Sequence, residues 1–269
     1  MCEKCGCGTT AMLDQAAEKT SGRPAMVVRE QVEVVRGILD GNQRQAEHNR
    51  EHFDSHGIVV INLMSSPGSG KTSLLEATIP RLRGKLRLAV IEGDLETEND
   101  ARRIRAQGVP AIQITTGTAC HLDATLVHDA LHALDLDSID LLFIENIGNL
   151  VCPASFGLGQ HRNVTLLSVT EGDDKPAKYP VMFRTSDLVL LSKTDLLPHV
   201  PEFEPRRAED ALASIGVHVP LLRISARTPA SLEPWLHWLE HTLTEVRSEQ
   251  AISAKPHLDQ GHGHDHLSG

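Results

Sequence analysis

Ile58-Val59-Val60-Ile61-Asn62-Leu63-Met64 runs without a break into Ser65-Ser66-Pro67-Gly68-Ser69-Gly70-Lys71-Thr72, and this junction decides the fold. An apolar, β-branched run of that length reads as a buried strand. The glycine-spaced turn after it, closed by Lys and Thr, reads as a phosphate-binding loop that opens a helix. Backbone amides in such a loop cradle phosphate oxygens, and the helix N-terminus adds positive potential. Gly68, Ser69, Gly70, Lys71, Thr72 and Ser73 are therefore the expected phosphate contacts. Lys71 reaches the terminal phosphates and the Thr72 hydroxyl holds magnesium. The sequence departs from G-x-x-x-x-G-K-[ST] at the first position, where Ser65 stands.

Outward from this junction, strands and helices alternate. Strands are expected over Leu86–Glu92, Ala111–Thr115, Leu141–Glu145, Val164–Val169, Leu188–Leu191 and Leu221–Ile224. Helices are expected over Thr72–Arg83, Asn99–Gln107, His121–Leu134, Pro205–Ile215 and Ser231–Glu249. That order demands a mostly parallel sheet with helices on both faces, an α/β class of fold. Ligands in such sheets sit beyond the C-terminal strand ends. Residues 1–23 read as a cysteine-rich segment and polar tether, and 24–56 as a helical segment weakened by Gly37 and Gly41. Residues 57–249 form the main domain, and 250–269 a polar, flexible tail.

The chain has 269 residues, 40% of them apolar but only 3% aromatic, so its core rests on Val, Ile, Leu and Ala. A net charge of −10 argues against nucleic acid as a partner, because phosphodiester binding needs a basic footprint. No apolar stretch approaches the roughly 20 residues of a membrane span, and no cleavable leader is visible. An odd cysteine count, clustered rather than spaced for staples, points to a reducing cytoplasm.

Three further segments fit a nucleotide site. Asp94 lies just past the second strand, where a carboxylate holds the magnesium shell or orients water. Glu145-Asn146-Ile147-Gly148 ends another strand, with a carboxylate near the metal and the Gly148 amide available to a γ-phosphate. Ser192-Lys193-Thr194-Asp195 resembles the guanine-reading N-K-x-D. Asp195 accepts both N–H groups of guanine's edge, Lys193 covers the ring, and Ser192 replaces the usual Asn. Ser225-Ala226 fits a loop closing over the base.

The cysteines carry a second chemistry. Cys2, Cys5 and Cys7 crowd the first eight residues. Three sulfurs and a terminal amine make a soft donor set suited to nickel(II) or copper. Cys120-His121 and Cys152 fall on loops after strands, and thiolate plus imidazole suits zinc or nickel. Three ligands leave that site open. A metal there would pull on the segment that senses the γ-phosphate, since Cys152 closely follows Gly148. His257, His262, His264 and His266 form a short imidazole cluster in the tail, either a weak metal binder or a solvated end. His48, His52, His56 and His199 read as scattered surface residues.

Together, Met1–Gly8, Ser65–Ser73, Val90–Arg105, Thr116–Asp123, Glu145–Gly157, Ser168–Pro180 and Ser192–Pro198 resemble the HypB family, the nickel-incorporation GTPases of nickel–iron hydrogenase maturation. The resemblance implies a P-loop NTPase of the SIMIBI type, related to signal-recognition and MinD-like proteins. It implies a slow, magnesium-dependent GTPase with Lys71, Asp94 and Glu145 in catalytic roles, and a GTP-dependent homodimer. It also implies a nickel site at Cys2, Cys5 and Cys7, and a nickel or zinc site at Cys120, His121 and Cys152. The implied partners are a small nickel- and zinc-binding accessory protein and the hydrogenase large-subunit precursor. Three alternatives stand beside it. One is a urease-type maturation GTPase, which would carry a single Cys-Pro-His site. Another is a nickel buffer with a vestigial nucleotide site, and the third an ATP-driven partitioning or transport protein.

Overall fold

The computed structural model describes residues 25–96 and 98–253. The Cys2, Cys5, Cys7 head and the His257, His262, His264, His266 tail lie outside the described residues. In chain order the elements are α1 (Ala25–Ser55), β1 (Val59–Ser65), α2 (Lys71–Leu82), β2 (Leu88–Asp94), α3 (Asn99–Arg105), β3 (Ala111–Thr115) and α4 (Ala124–Leu131). They continue with β4 (Leu141–Glu145), β5 (Arg162–Ser168), α5 (Lys175–Lys178), α6 (Pro180–Arg184), β6 (Leu188–Ser192), α7 (Pro205–Ser214), β7 (Leu221–Arg223) and α8 (Glu233–Ser253). The strands make one sheet in the order β3-β2-β4-β1-β5-β6-β7, and every pairing between them is parallel.

Alternation along β1 shows how the sheet is covered. Successive strand residues face opposite sides, so Val59, Ile61 and Leu63 enter one core with Leu75 and Ile79 of α2 and Trp235 and Leu239 of α8. Ile58 and Val60 enter the other, with Phe53 of α1 and Val127 and Leu131 of α4. A third cluster fills the β5–β6 side with Met182, Phe183 and Leu212. Both faces are thus closed by helices, which is why β1 is buried along its whole length. Asn62 interrupts the apolar run because its amide joins a buried polar chain. It donates to Asn163 Oδ1 at 3.0 Å and accepts from Asn146 at 3.4 Å.

The expected alternation holds, with three differences. Residues 25–55 form one unbroken helix despite Gly37 and Gly41, its end anchored by buried Phe53. The helix expected from His121 starts instead at Ala124, because Asp123 caps it by accepting from Leu126 N–H at 2.9 Å. Cys120 and His121 therefore sit on a loop. The short helices α5 and α6 start at Lys175-Pro176 and Pro180, proline in each lying in the first turn where its missing N–H costs least.

Candidate nucleotide and metal sites

Strand order changes direction at β1, which lies between β4 and β5, and the crevice beyond its C-terminal end holds the loop Ser65–Thr72. Gly70 caps α2 with φ 99°, a left-handed conformation that favours glycine. Lys71 is buried, its Nζ donating to Ser65 Oγ at 3.1 Å. The residue that departs from the phosphate-loop pattern thus holds the loop's lysine. Gly148 has no room for a side chain: a Cβ there would lie 2.7 Å from the Pro67 backbone. The next residue, Asn149, donates its backbone N–H to Ser65 O at 2.8 Å. The segment after β4 is therefore laid directly on the phosphate loop.

Thr72 Oγ1 donates to Glu145 Oε1 at 2.8 Å. Sheet register pairs Glu145 with Glu92 across β4 and β2, and Asp100 of α3 completes a group whose ligand atoms all lie within 4.8 Å of one another. Glu92 Oε2 and Glu145 Oε2 are buried with no hydrogen-bond partner among the described residues. Burial, and next the Glu145 carboxylate, push the Glu92 carboxyl up to about 11. Burial also raises Glu145, so at neutral pH the pair holds a proton. Unpartnered hard oxygen donors beside a phosphate loop fit a magnesium ion. Asp94, the carboxylate expected in this role, ends β2 half-buried, with its side chain accepting from Leu95 N–H at 2.6 Å.

Beyond Gly70 opens a cavity of about 440 Å³, lined among others by Ser73, Lys193, Asp195, Ser225 and Ala226. Lys193 adopts φ 58°, rare for a residue with a side chain, and its Nζ donates to Gly68 O at 2.6 Å. Ser192 Oγ donates to Ser69 O at 2.7 Å, so the serine in the place of Asn still fastens the segment Ser192–Asp195 to the phosphate loop. Asp195 Oδ1 accepts from Ser225 Oγ at 2.6 Å. Every expected base-side residue thus meets in one cavity.

On the other side of the phosphate loop, Cys120, His121 and Cys152 converge, their ligand atoms within 4.8 Å of one another. The two sulfurs lie 3.0 Å apart without a disulfide, and His121 Nδ1 is 3.8 Å from Cys120 Sγ. Burial raises the Cys152 thiol to about 12, helped by the Cys120 contact. Burial also lowers His121, leaving its imidazole neutral, the form that binds metals. Asn149 Nδ2 donates to Cys152 Sγ at 3.2 Å and to Cys120 O at 3.3 Å. One residue therefore touches both the phosphate loop and the thiol pair.

Four features escaped the sequence reading. Glu92 stood inside a strand, where its charge among apolar neighbours was the available signal. Asn149 looked like an ordinary loop residue. Glu171 accepts from both Ser66 and Ser69 hydroxyls on the phosphate loop. His48 and His52, read as scattered, meet His128 on α4.

Residues 59–214 match the CobW/HypB/UreG nucleotide-binding domain. The hydrogenase maturation factor HypB of Escherichia coli strain K12 is 50% identical over 217 residues, covering 81% of this chain and 74% of that protein. The hydrogenase/urease maturation factor HypB of Helicobacter hepaticus is 45% identical, covering 76% of this chain and 85% of that one. The crystal structure of HypB from Helicobacter pylori in complex with nickel superposes with a TM-score of 0.74 at 41% identity, covering 77% of this chain and 97% of that one.

Proposed function

Because the chain belongs to the HypB family of hydrogenase maturation factors, we propose that it is a GTP-hydrolysing metallochaperone delivering nickel to the hydrogenase large-subunit precursor. Nickel is its cargo, and guanine nucleotide controls when the cargo is held. Support for this reading comes from the Helicobacter pylori relative, whose structure contains nickel, and from the Cys120–His121–Cys152 constellation of this chain. The observation that carries it is the Gly148–Asn149 turn, which packs on Pro67, bonds to Ser65 O and donates to Cys152 Sγ. A phosphate that draws this turn inward moves a nickel or zinc ligand.

Each residue has a role in that reading. The loop amides from Gly68 to Ser73 bind the phosphates, Lys71 neutralises the terminal ones, and the Gly148 amide meets the γ-phosphate. Thr72, Glu145 and Glu92 hold magnesium, which supplies charge neutralisation at the phosphates, and Asp94 orients water or the ion's outer shell. Asp195 reads guanine, with Lys193, Ser225 and Ala226 enclosing the base. The Glu171 carboxylate competes with phosphate for the Ser66 and Ser69 hydroxyls, so it must leave when nucleotide enters. Cys2, Cys5 and Cys7 hold nickel at the head. A homodimer forms with GTP, and a small nickel- and zinc-binding accessory protein exchanges metal with it in the cytoplasm. Among the described residues no helix is long and apolar enough to cross a membrane.

The test uses protein in which Cys2, Cys5 and Cys7 are replaced, so that only the internal thiolates remain. Nickel affinity is measured with GDP and with a non-hydrolysable GTP analogue. A difference of about 5–150-fold is expected for a working switch, and GTP affinity must shift by the same factor on adding nickel. Equal affinities would reduce the internal site to a structural clip. The Helicobacter hepaticus relative, described as a hydrogenase/urease factor, favours a second client: a urease apoprotein. Assays of both enzymes in a deletion strain separate the two.

A further inference from the structure

The α1–α4 seam carries imidazoles that neither the nucleotide site nor the thiolate site uses. His48 and His52 stand one turn apart on α1, with Nε2 atoms 3.1 Å from each other. His128 of α4 faces them, with ring centroids 5.2 Å from His48 and 5.5 Å from His52. His132 follows one turn later, 5.0 Å from His128. Ligand nitrogens of the first three all lie within 4.8 Å of one another.

The surroundings fix how His128 is presented. Asn49 is fully buried and donates Nδ2 to the carbonyls of Ala124 at 2.8 Å and Leu158 at 3.1 Å. A carbonyl only accepts, so the amide cannot be reversed, and Asn49 Oδ1 must face His128 Nδ1 at 3.1 Å. Nδ1 therefore carries the hydrogen and Nε2 keeps its lone pair. An imidazole anchored through its second nitrogen to a fixed acceptor is the arrangement metal-binding histidines use. On α1, the exposed Glu51 carboxylate lies 3.9 Å from His48 Nδ1, beyond hydrogen-bond distance, so His48 has no comparable anchor there.

We propose that His48, His52 and His128 form a further metal site, taking a divalent late first-row cation such as zinc or nickel through three imidazole nitrogens. The 3.1 Å separation of the two α1 nitrogens corresponds to an angle of about 100° at a metal with bonds of about 2.0–2.1 Å. That angle lies between square-planar and tetrahedral coordination. His132, its ring centroid 5.0 Å from that of His128, is a further imidazole beside the cluster. His48 is exposed while His52 and His128 are half-buried, which leaves an entry path. All donors are nitrogen, so the site is harder than the thiolates and exchanges its ion more readily. It also clips α1, the helix that follows the cysteine head, to α4, the helix that follows the Cys120-His121 loop.

Zinc, being diamagnetic, allows a test on the full chain by long-range ¹H–¹⁵N NMR of the imidazoles. On titration, the Nε2 resonances of His48, His52 and His128 should move together over a single one-equivalent step after the thiolate sites have filled, apart from any change at His121 or the tail histidines. The exposed variant His48→Gln and the variant His52→Gln should each lose that equivalent by calorimetry. Both should lose the zinc-induced rise in Tm while hydrolysing GTP at the parental rate. Residue-specific shifts with loss of the equivalent support the site. Resonances of these three rings that stay still while zinc saturates the other histidines and cysteines would overturn it, as would unchanged stoichiometry in both variants.

Discussion

The Glu92–Glu145 pair and the Cys120–Cys152 pair face the same end of the sheet and are separated by the Gly148–Asn149 turn, yet their donors are chemically opposite. Glutamate oxygens are hard and suit magnesium, whereas thiolates are soft and suit nickel or zinc. Their supports differ as well. Both glutamates sit on strands in fixed register, Glu92 within β2 and Glu145 at the end of β4, while Cys120 sits on a loop and Cys152 opens a short 3-10 turn. Burial keeps a proton on each pair, so a cation must displace hydrogen ions at either. In the proposed function, donor type is what keeps magnesium and nickel apart.

The largest effect should come from cutting the nucleotide side alone. Lys71→Ala should lower steady-state GTP turnover by about 10²–10³-fold, the usual cost of removing one preorganised charge from a reacting anion. Nickel binding at the thiolates should persist. A variant that releases phosphate at the parental rate would remove the phosphate loop from the chemistry.

Cutting the soft side is the converse. Cys152→Ala should abolish the thiolate-to-nickel absorbance of protein lacking the three head cysteines, leaving magnesium-dependent GTP hydrolysis within about tenfold of the parent, inside the coupling range. Collapse of hydrolysis would mean the two sites are one unit rather than two.

A smaller effect concerns Glu92. Its carboxyl is held above the ordinary range, so the stabilisation it contributes is present below the ordinary carboxylate pKa and lost as pH rises. Glu92→Gln mimics the protonated form at every pH. Without metal or nucleotide it should therefore exceed the parent by on the order of 1–3 kcal/mol at pH 8, with the gap closing below about pH 4.5. Urea denaturation at both pH values measures this, and a variant less stable than the parent at pH 8 would contradict the shared proton.

The gentlest test is pH itself. Metal binding expels thiol protons, so nickel affinity at the internal site should rise with pH. Each thiol ionised on binding contributes about one log unit per pH unit while it remains below its own range. Magnesium affinity should rise with pH too, since Glu92 must release its proton. A flat profile at either site would show that its ligands ionise before the cation arrives.

Much of the fold was legible because β1 and the phosphate loop are local. A β-branched run followed by a glycine-spaced turn specifies strand, loop and helix within fifteen residues. The shared cavity of Lys193 and Asp195 was legible for the same reason, the two lying in one short motif. Glu92 was not. In a sheet covered on both faces, strands show no polar alternation to reveal which side chains reach the site.

What the sequence determined by itself was every choice made over a few residues: the phosphate loop, the strand–helix alternation, the soft character of Cys120, His121 and Cys152, and the spacing of His48 and His52 on one helix face. Tertiary structure alone decided which of these meet. Strand order put β2 beside β4, and register then set Glu92 against Glu145. The docking of α4 on α1 brought His128 to His48 and His52. The close approach of Gly148 to Pro67 laid Asn149 between the phosphate loop and the thiols. Local sequence fixes backbone dihedrals and side-chain chemistry. Contacts between distant segments are fixed by the burial of whole helix and sheet faces, a property of the assembled core.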